Sequence, residues 1–175
     1  MILRRRLRGV RIDDSKRLTP LARQRACDAI LEHAAVGIGI VCAADVDRWN
    51  IHRAALRAMQ QAIEDLPRLP QLILVDGTTA PAATVPCRAI IDGDASCYII
   101  SCASIVAKVL RDRLMTFYHQ LLPDYAFDRH KGYGTELHAR RLERFGPSVL
   151  HRMTFRPVAA ALAAGPVSVA AVDGA

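Results

Sequence analysis

Apolar side chains recur every three or four positions in several stretches of the chain, the spacing that lines one face of an α-helix. The pattern predicts helices at about 19–35, 51–66 and 96–122, the last of them ended by a proline. Shorter helices are predicted at 135–145 and 157–164. The helix at 19–35 begins with Thr-Pro, a residue pair typical of a helix N-terminus.

Short apolar runs bounded by turn-forming residues predict strands at 36–42, 71–76 and 87–91. Strands that alternate with helices indicate an α/β fold with some parallel pairing. About three strands are few for a sheet that must cover four or five helices. We expect residues 1–164 to form a single domain and the low-complexity residues 165–175 to form a flexible tail.

Composition narrows the class of protein. At 175 residues the chain is long enough for one domain with a hydrophobic core. Its net charge of +7 is compatible with a polyanionic partner such as nucleic acid, although charge alone leaves this open. The five cysteines include no Cys-x-x-Cys pair, which argues against a disulfide framework and a zinc site. Because there is no apolar run of about 18 residues and no signal peptide, we expect a cytoplasmic protein without a membrane partner.

Two aspartates stand at the ends of consecutive predicted strands. Asp76 ends the run at 71–76, and Asp94 follows the run at 87–91, just before the long helix. Taken singly, Asp76 is typical of a turn aspartate and Asp94 of a helix N-cap. Taken together at one edge of a sheet, they are typical of ligands for a divalent metal, and a metal beside basic residues indicates phosphate chemistry.

Two further segments carry groups suited to phosphate. Ser15 and Lys16 offer a hydroxyl and an ammonium to phosphate oxygens, or else belong to a capped, solvated loop. The segment with His130, Lys131 and Tyr133 adds an aromatic face against which a sugar or base can lie, or else is an ordinary turn. Other basic side chains that would add positive charge near a bound backbone, or remain solvated, are Arg4, Arg5, Arg6, Arg8, Arg11, His151 and Arg152.

In their joint occurrence and order, these segments resemble the bacterial ribonuclease HII family. The resemblance covers about residues 3–162, and no single motif would suffice for it. The matching segments are Asp14–Thr19, Leu74–Gly77, Gly93-Asp94, Ala103–Val109 with Arg111-Asp112, His130–Thr135, and His151-Arg152 with Phe155 and Pro157.

The resemblance implies a ribonuclease H-like mixed sheet flanked by helices. It implies an endonuclease that hydrolyses the RNA strand of RNA–DNA hybrids and cuts at ribonucleotides embedded in duplex DNA, leaving 5′-phosphomonoesters. The implied cofactor is Mn²⁺ or Mg²⁺, and the implied setting is DNA replication and repair. We expect a monomer.

The resemblance also implies roles for particular residues. Asp76 and Asp94 would be the catalytic carboxylates and would bind the metal. Tyr133 would pack against the nucleotide sugar at the RNA–DNA junction. The residues implied to contact nucleic acid are Ser15, Lys16, His130, Lys131, Tyr133 and Arg152.

The chain departs from the family at its start. Family members begin with a strand that carries an Asp-Glu pair followed by a Gly-Arg-Gly loop, and this chain contains neither sequence. We therefore expect a fold that is incomplete at its N-terminus, lacks half of the catalytic carboxylates and is nearly inactive. A start site assigned too far downstream is the favoured explanation, because the later motifs match so closely. The other two explanations are a degraded gene and a non-catalytic remnant.

Two alternative functions remain at this stage. The first is a nucleic-acid-binding remnant of the same fold, which hybrid binding without cleavage would favour. The second is an unrelated α/β enzyme acting on a small phosphorylated substrate, which a preference for a free nucleotide over an oligonucleotide would favour. The order of the motifs argues against the second.

Overall fold

The computed structural model describes residues 1–164, which form two compact units. Unit 1 comprises Met1–Val41 and Trp49–Arg111, and unit 2 comprises Cys42–Arg48 and the chain from Asp112 onward. That residues 1–164 form a single domain stays a prediction, and the tail predicted at 165–175 lies outside the described residues. Within residues 1–164, no helix combines the length and the apolar character needed to cross a membrane.

Unit 1 begins with a short antiparallel pair of strands around a helix. Strand β1 (Ile2–Leu3) pairs with β2 (Ala34–Ala35), and helix α1 (Pro20–His33) lies between them in the chain. Thr19 caps α1, because its Oγ1 accepts a hydrogen bond from the N–H of Ala22 at 3.2 Å. The predicted start of the first helix is therefore confirmed, and the helix ends slightly early because the chain enters β2.

The strand predicted at 36–42 is wrong, since these residues have no regular secondary structure. The chain there passes against the backbone of helix α3 (Ile51–Glu64). A Cβ atom at Gly39 would lie only 1.8 Å from the carbonyl oxygen of Ala58, and one at Gly37 would be almost as close to α3. The glycines therefore serve a close approach to a helix, whereas the apolar alternation around them suggested pairing in a sheet.

The other two predicted strands are confirmed and pair with each other. They are β3 (Ile73–Asp76) and β4 (Cys87–Ile90), and they run parallel. Asp76 lies opposite Ile90 at the carboxyl end of the pair. Side chains along β3 alternate between buried and less buried, with Ile73 and Val75 inside, as expected for a strand covered on one face.

Two helices follow β4. The first is the short α4 (Gly93–Ser96), and the second is the long α5 (Tyr98–Leu121), which confirms the helix predicted at 96–122. The core of unit 1 lies between α1 and the first half of α5, with the buried side chains Ala26, Cys27, Ile30, Cys102, Ile105, Val106 and Val109.

Unit 2 is helical. It contains most of α2 (Ala43–Trp49), the end of α5, a 3₁₀ turn (Pro123–Tyr125), α6 (Phe127–His130), α7 (Glu136–Phe145) and α8 (Arg156–Ala164). The two short helices predicted at the end of the sequence are thus confirmed as α7 and α8. With the strands of unit 1, these elements form the α/β fold that the sequence predicts.

Helix α7 has a cap at each end. The Oγ1 atom of Thr135 accepts a hydrogen bond from the N–H of His138 at 3.3 Å. Gly146 follows the last turn with a φ of 69°, a left-handed conformation that glycine adopts without steric cost. These two residues fix the start and the end of α7.

Candidate active site

Asp76 is held at the carboxyl end of β3 by the backbone of the next element. Its Oδ1 accepts a hydrogen bond from the N–H of Gly93 at 2.8 Å, at the start of α4. Parallel pairing of β3 with β4 brings the ends of both strands, and therefore Asp76 and the segment 92–94, to one edge. The carboxylate bridges two elements, which a turn aspartate bonded to its own backbone would not do.

Asp94 faces the same region and is paired with Lys16. Its Oδ2 lies 3.0 Å from the Nζ of Lys16, and the carboxylate side chain is 14% exposed while the lysine side chain is 75% exposed. The hydrogen bond and charge of Asp94 raise the pKa of Lys16, and the charges of Asp14 and Asp76 raise it further. Because Asp76 is bonded to the amide of Gly93, the residue just before Asp94, the structure brings the two predicted carboxylates to the same edge.

Ser15 lies in the same region, but its hydroxyl is buried. The residue is 3% exposed, and its Oγ lies 3.0 Å from the Oγ of Ser104 on α5. The guanidinium of Arg23 donates to the carbonyl of Ser15 at 2.7 Å. Ser15 therefore anchors the loop that presents Lys16.

Two residues of this arrangement were not assigned from the sequence. Ser104 lies within a motif that matches the family, but the motif did not show what Ser104 does. No sequence signal pointed to Arg23, because its bonds to the carbonyls of Ser15 and Leu18 depend on how α1 packs against the preceding loop.

The carboxylate pair suits one divalent cation. Among residues 1–164 no group of three or more histidine, cysteine and acidic side chains is placed to hold a metal. Mg²⁺ and similar hard cations are nevertheless often bound by one or two carboxylates, with water and substrate phosphate completing the shell. The chemistry of Asp76 and Asp94 fits such a site, and Lys16 supplies positive charge beside it.

Unit 2 carries the second group of predicted residues, on the glycine-rich loop (residues 131–134). His130 precedes this loop and is 4% exposed. Its Nδ1 accepts a hydrogen bond from the N–H of Gly132 at 3.0 Å, so its Nε2–H donates to the carbonyl of Tyr125 at 2.7 Å. With both nitrogens bonded to backbone, the His130 side chain holds the loop and presents no free donor to a ligand.

The neighbours of His130 reach the surface. The ring of Tyr133 is 53% exposed, and the Nζ of Lys131 donates to the Oγ1 of Thr116 at 2.7 Å from an exposed position. Among the residues predicted on this loop, Tyr133 and Lys131 are therefore the ones that a nucleic acid could contact directly.

Arg152 lies beside a turn that Asp47 of helix α2 holds by hydrogen bonds. Its guanidinium lies 5.0 Å from the centre of the Phe155 ring. The carboxylate of Asp47 accepts hydrogen bonds from the amides of Met153 and Thr154 at 2.6 and 3.0 Å and from the hydroxyl of Thr154. These bonds, that of the Thr154 hydroxyl above all, lower the pKa of Asp47. No pattern in the sequence pointed to Asp47, because its partners are more than 100 residues away.

Comparison with known proteins gives a consistent answer. The family model described as Ribonuclease HII matches residues 3–158. Ribonuclease HII of Chlamydia pneumoniae is 46% identical over 149 residues, which are 84% of this chain and 69% of that protein. Ribonuclease HII of Thermotoga maritima is 42% identical over 158 residues, 90% of this chain and 65% of that protein. For the protein of Bradyrhizobium diazoefficiens the identity is 47% over 152 residues, 87% of this chain and 58% of that protein.

The chain thus spans between 58% and 69% of the length of these three relatives. Two solved structures share its fold. The ribonuclease H2 of Pyrococcus horikoshii superposes with a TM-score of 0.69 at 21% identity, over 86% of this chain and 79% of that one. Bst-RNase HIII in complex with Mn²⁺ superposes with a TM-score of 0.61 at 17% identity, over 87% of this chain and 58% of that one. The ribonuclease H-like fold expected from the sequence is therefore confirmed.

Proposed function

Because the chain belongs to the ribonuclease HII family, we propose that it recognises RNA–DNA hybrids and ribonucleotides embedded in duplex DNA and hydrolyses the adjoining phosphodiester. The observation that carries the proposal is the pair of carboxylates at one edge of the parallel strands, with the ammonium of Lys16 bonded to Asp94 at 3.0 Å. An anionic pair beside a cation suits a site that receives a metal together with a phosphate.

Asp76 and Asp94 would hold a divalent cation, Mn²⁺ or Mg²⁺. Bst-RNase HIII was crystallised with Mn²⁺, which supports this class of cofactor. When bound, such an ion supplies Lewis acidity to the phosphate and lowers the pKa of attacking water.

The residues of unit 1 position the phosphate. The ammonium of Lys16 offsets the charge that develops on the phosphodiester, and it reaches the site because buried Ser15 anchors its loop. The bond from Gly93 N–H to Asp76 keeps one carboxylate oxygen turned toward α4 and leaves the other available. Cleavage leaves a 5′-phosphomonoester.

The residues of unit 2 bind the nucleotide. Tyr133 offers an exposed ring face to the ribose at the RNA–DNA junction, and Lys131 and Arg152 supply positive charge for the backbone. The 2′-hydroxyl is the group by which a ribonucleotide differs from DNA, so a ring packed on the sugar is a suitable way to sense it. We further propose that the protein acts as a monomer in the cytoplasm, in DNA replication and repair.

A non-catalytic hybrid-binding protein is the second candidate, and one observation favours it. Two ions held close together need several carboxylates to offset their charge, whereas the described residues provide no cluster of three acids. We therefore expect this polypeptide to cleave slowly.

The decisive experiment uses a DNA duplex with a single ribonucleotide and Mn²⁺. It compares the wild-type chain, Asp76→Asn and, as control, Asp28→Asn at an exposed position of α1. Slow metal-dependent cleavage that disappears only in Asp76→Asn supports the nuclease. Binding without cleavage in any form supports the non-catalytic candidate, and neither binding nor cleavage contradicts both.

A further inference from the structure

Three histidines from different segments of unit 2 form one buried cluster. His130, His138 and His151 are each no more than 6% exposed. The rings of His130 and His138 are stacked with their centres 4.1 Å apart, and the ring centres of His138 and His151 are 5.2 Å apart. Ribonuclease chemistry as proposed above uses none of these buried rings, so their burial calls for another explanation.

Hydrogen bonds determine which nitrogen of each ring carries its proton, along a chain that we name the histidine relay (Ser148, His151 and His138). The amide of Ser148 donates to Nδ1 of His151 at 2.9 Å, so the proton of neutral His151 is on Nε2. That proton points to Nε2 of His138 at 3.0 Å. His138 therefore carries its own proton on Nδ1, which donates to the carbonyl of Tyr133 at 3.0 Å.

The relay is complete only when both rings are neutral. A second proton on His138 would place two N–H donors face to face across the 3.0 Å between the Nε2 atoms. A second proton on His151 would place an N–H on Nδ1, against the amide of Ser148 at 2.9 Å. Burial lowers the pKa of His138, and burial lowers the pKa of His151 to about 4. Neutral rings at pH 7 agree with the direction of the hydrogen bonds.

The relay ends on the glycine-rich loop, where the backbone adopts a left-handed conformation that is unfavourable for a residue with a side chain. Lys131 and Gly132 are both left-handed, with φ values of 51° and 78°. His130 holds the start of the loop through the amide of Gly132, and His138 holds the carbonyl of Tyr133. A left-handed lysine persists only when its surroundings fix it. The two histidines hold the backbone just before Tyr133, at the Gly132 amide, and at the carbonyl of Tyr133 itself.

We propose that the histidine relay, with His130 stacked on it, fixes the glycine-rich loop so that the Tyr133 ring stands ready to sense a ribose. This inference rests on the proposed role of Tyr133 in the function above. His138 and His151 are positioning residues, because neither reaches the surface. Discrimination between a ribonucleotide and DNA would thus depend on the tautomer of His151, which the amide of Ser148 sets by its hydrogen bond to Nδ1.

Two substitutions of His138 separate its hydrogen bond from its bulk. His138→Asn places an amide close to the position of Nδ1 and keeps a donor for the Tyr133 carbonyl, while His138→Phe keeps an aromatic ring without a donor. His52→Phe, at an exposed histidine of α3, is the control for adding a phenylalanine. Tyr133→Ala removes the ring that the relay positions.

The first readout is independent of nucleic acid. Nitrogen NMR of the wild-type chain at pH 7 should show His138 protonated on Nδ1 and His130 and His151 protonated on Nε2. Amide exchange at 132–135 should accelerate at least about tenfold in His138→Phe, one lost hydrogen bond being worth roughly that factor, and stay near the wild-type rate in His138→Asn. A His138 proton on Nε2, or equal exchange in all variants, would overturn the relay.

The second readout is the ratio of affinities for a duplex with one ribonucleotide and the same duplex in DNA only. We expect His138→Phe and Tyr133→Ala each to lower the ratio about tenfold, since that is the typical contribution of one aromatic contact to a nucleotide. His138→Asn should restore it. A wild-type chain without any preference would refute the proposed role of Tyr133, while the NMR and exchange results would still decide whether the relay fixes the loop.

Discussion

At the scale of single residues, Asp76 and Asp94 are held in different ways. Asp76 accepts a hydrogen bond from the backbone amide of Gly93 at 2.8 Å, a donor whose position is fixed by the fold. Asp94 is bonded to an exposed lysine side chain, which can swing away. A cation entering the site therefore competes with Lys16 for Asp94 but finds Asp76 already oriented.

This difference predicts the effect of removing the lysine. Lys16→Gln should strengthen Mn²⁺ binding about fivefold, because one positive charge a few ångströms from a cation is worth about 1 kcal/mol near water. The same change should weaken binding of a hybrid duplex, since a phosphate contact is lost. Both affinities can be measured, by electron paramagnetic resonance of Mn²⁺ and by fluorescence anisotropy.

Arg17→Gln is the matched control, because Arg17 is an equally exposed neighbour whose ion-pair partner is Asp13. It should leave Mn²⁺ binding unchanged. If Lys16→Gln also left Mn²⁺ binding unchanged, the carboxylate pair would not be where the cation binds.

Ser15 and His130 show what a residue's type does not reveal. Both are polar, and both lie in motifs that suggested direct contact with nucleic acid, yet they are 3% and 4% exposed. Each instead holds the residue that can make the contact, Lys16 in one case and Tyr133 in the other. A motif marks the segment, but burial decides which member of the segment meets the ligand.

At the scale of elements, the segment that passes over α3 explains why the strand predicted at 36–42 is wrong. Gly37 and Gly39 alternate with apolar residues, a pattern shared by strands and by an extended chain pressed against a helix. Only the packing shows that these glycines face the carbonyl oxygens of α3. Local periodicity cannot report a partner that is about twenty residues away.

Substitution at this crossing should be costly. Gly39→Ala would bring a methyl group to 1.8 Å from a backbone carbonyl oxygen, so the segment must separate from α3. We expect a loss of about 3 kcal/mol in the free energy of unfolding, at the upper end for overpacking. Guanidinium denaturation followed by circular dichroism measures it.

Gly134→Ala provides the comparison, because a Cβ there would meet only side-chain atoms, at 3.4 Å. It should cost less than about 1 kcal/mol. Equal losses in the two variants would show that the close approach of Gly39 to α3 does not exist in solution.

At the scale of the whole molecule, the buried histidines predict how stability depends on pH. The pKa of His151 is lowered from 6.5 to about 4, and those of His138 and His130 are lowered too, all mainly by burial. Between these values the unfolded chain binds more protons than the folded one, so stability is full above pH 6.5 and falls as the pH drops toward 4. Asp47, whose pKa is lowered from 3.8, changes the stability only below this window, where protonation of its carboxylate removes stability.

We expect the free energy of unfolding to fall by about 2 kcal/mol between pH 7 and pH 5 through His151 alone, with a further loss from its neighbours. Denaturant titrations at both values measure the difference. In His151→Asn, which no longer titrates there, the fall should shrink by the same amount. A stability that does not change between these pH values would contradict the neutral, buried cluster.

The sequence by itself determined the three long helices, the N-cap of α1, the strands β3 and β4, and the family. The helices, the cap and the strands depend on residues close together in the chain, and the family depends on several motifs that occur together in one order. The tertiary structure decided what those residues do. It placed Lys16 on Asp94, 78 residues away, turned Asp47 toward Thr154, and joined His138 to His151 in a relay with one possible direction. Such relations require packed partners from distant segments, and burial, which sets both exposure and protonation, exists only once the chain has folded.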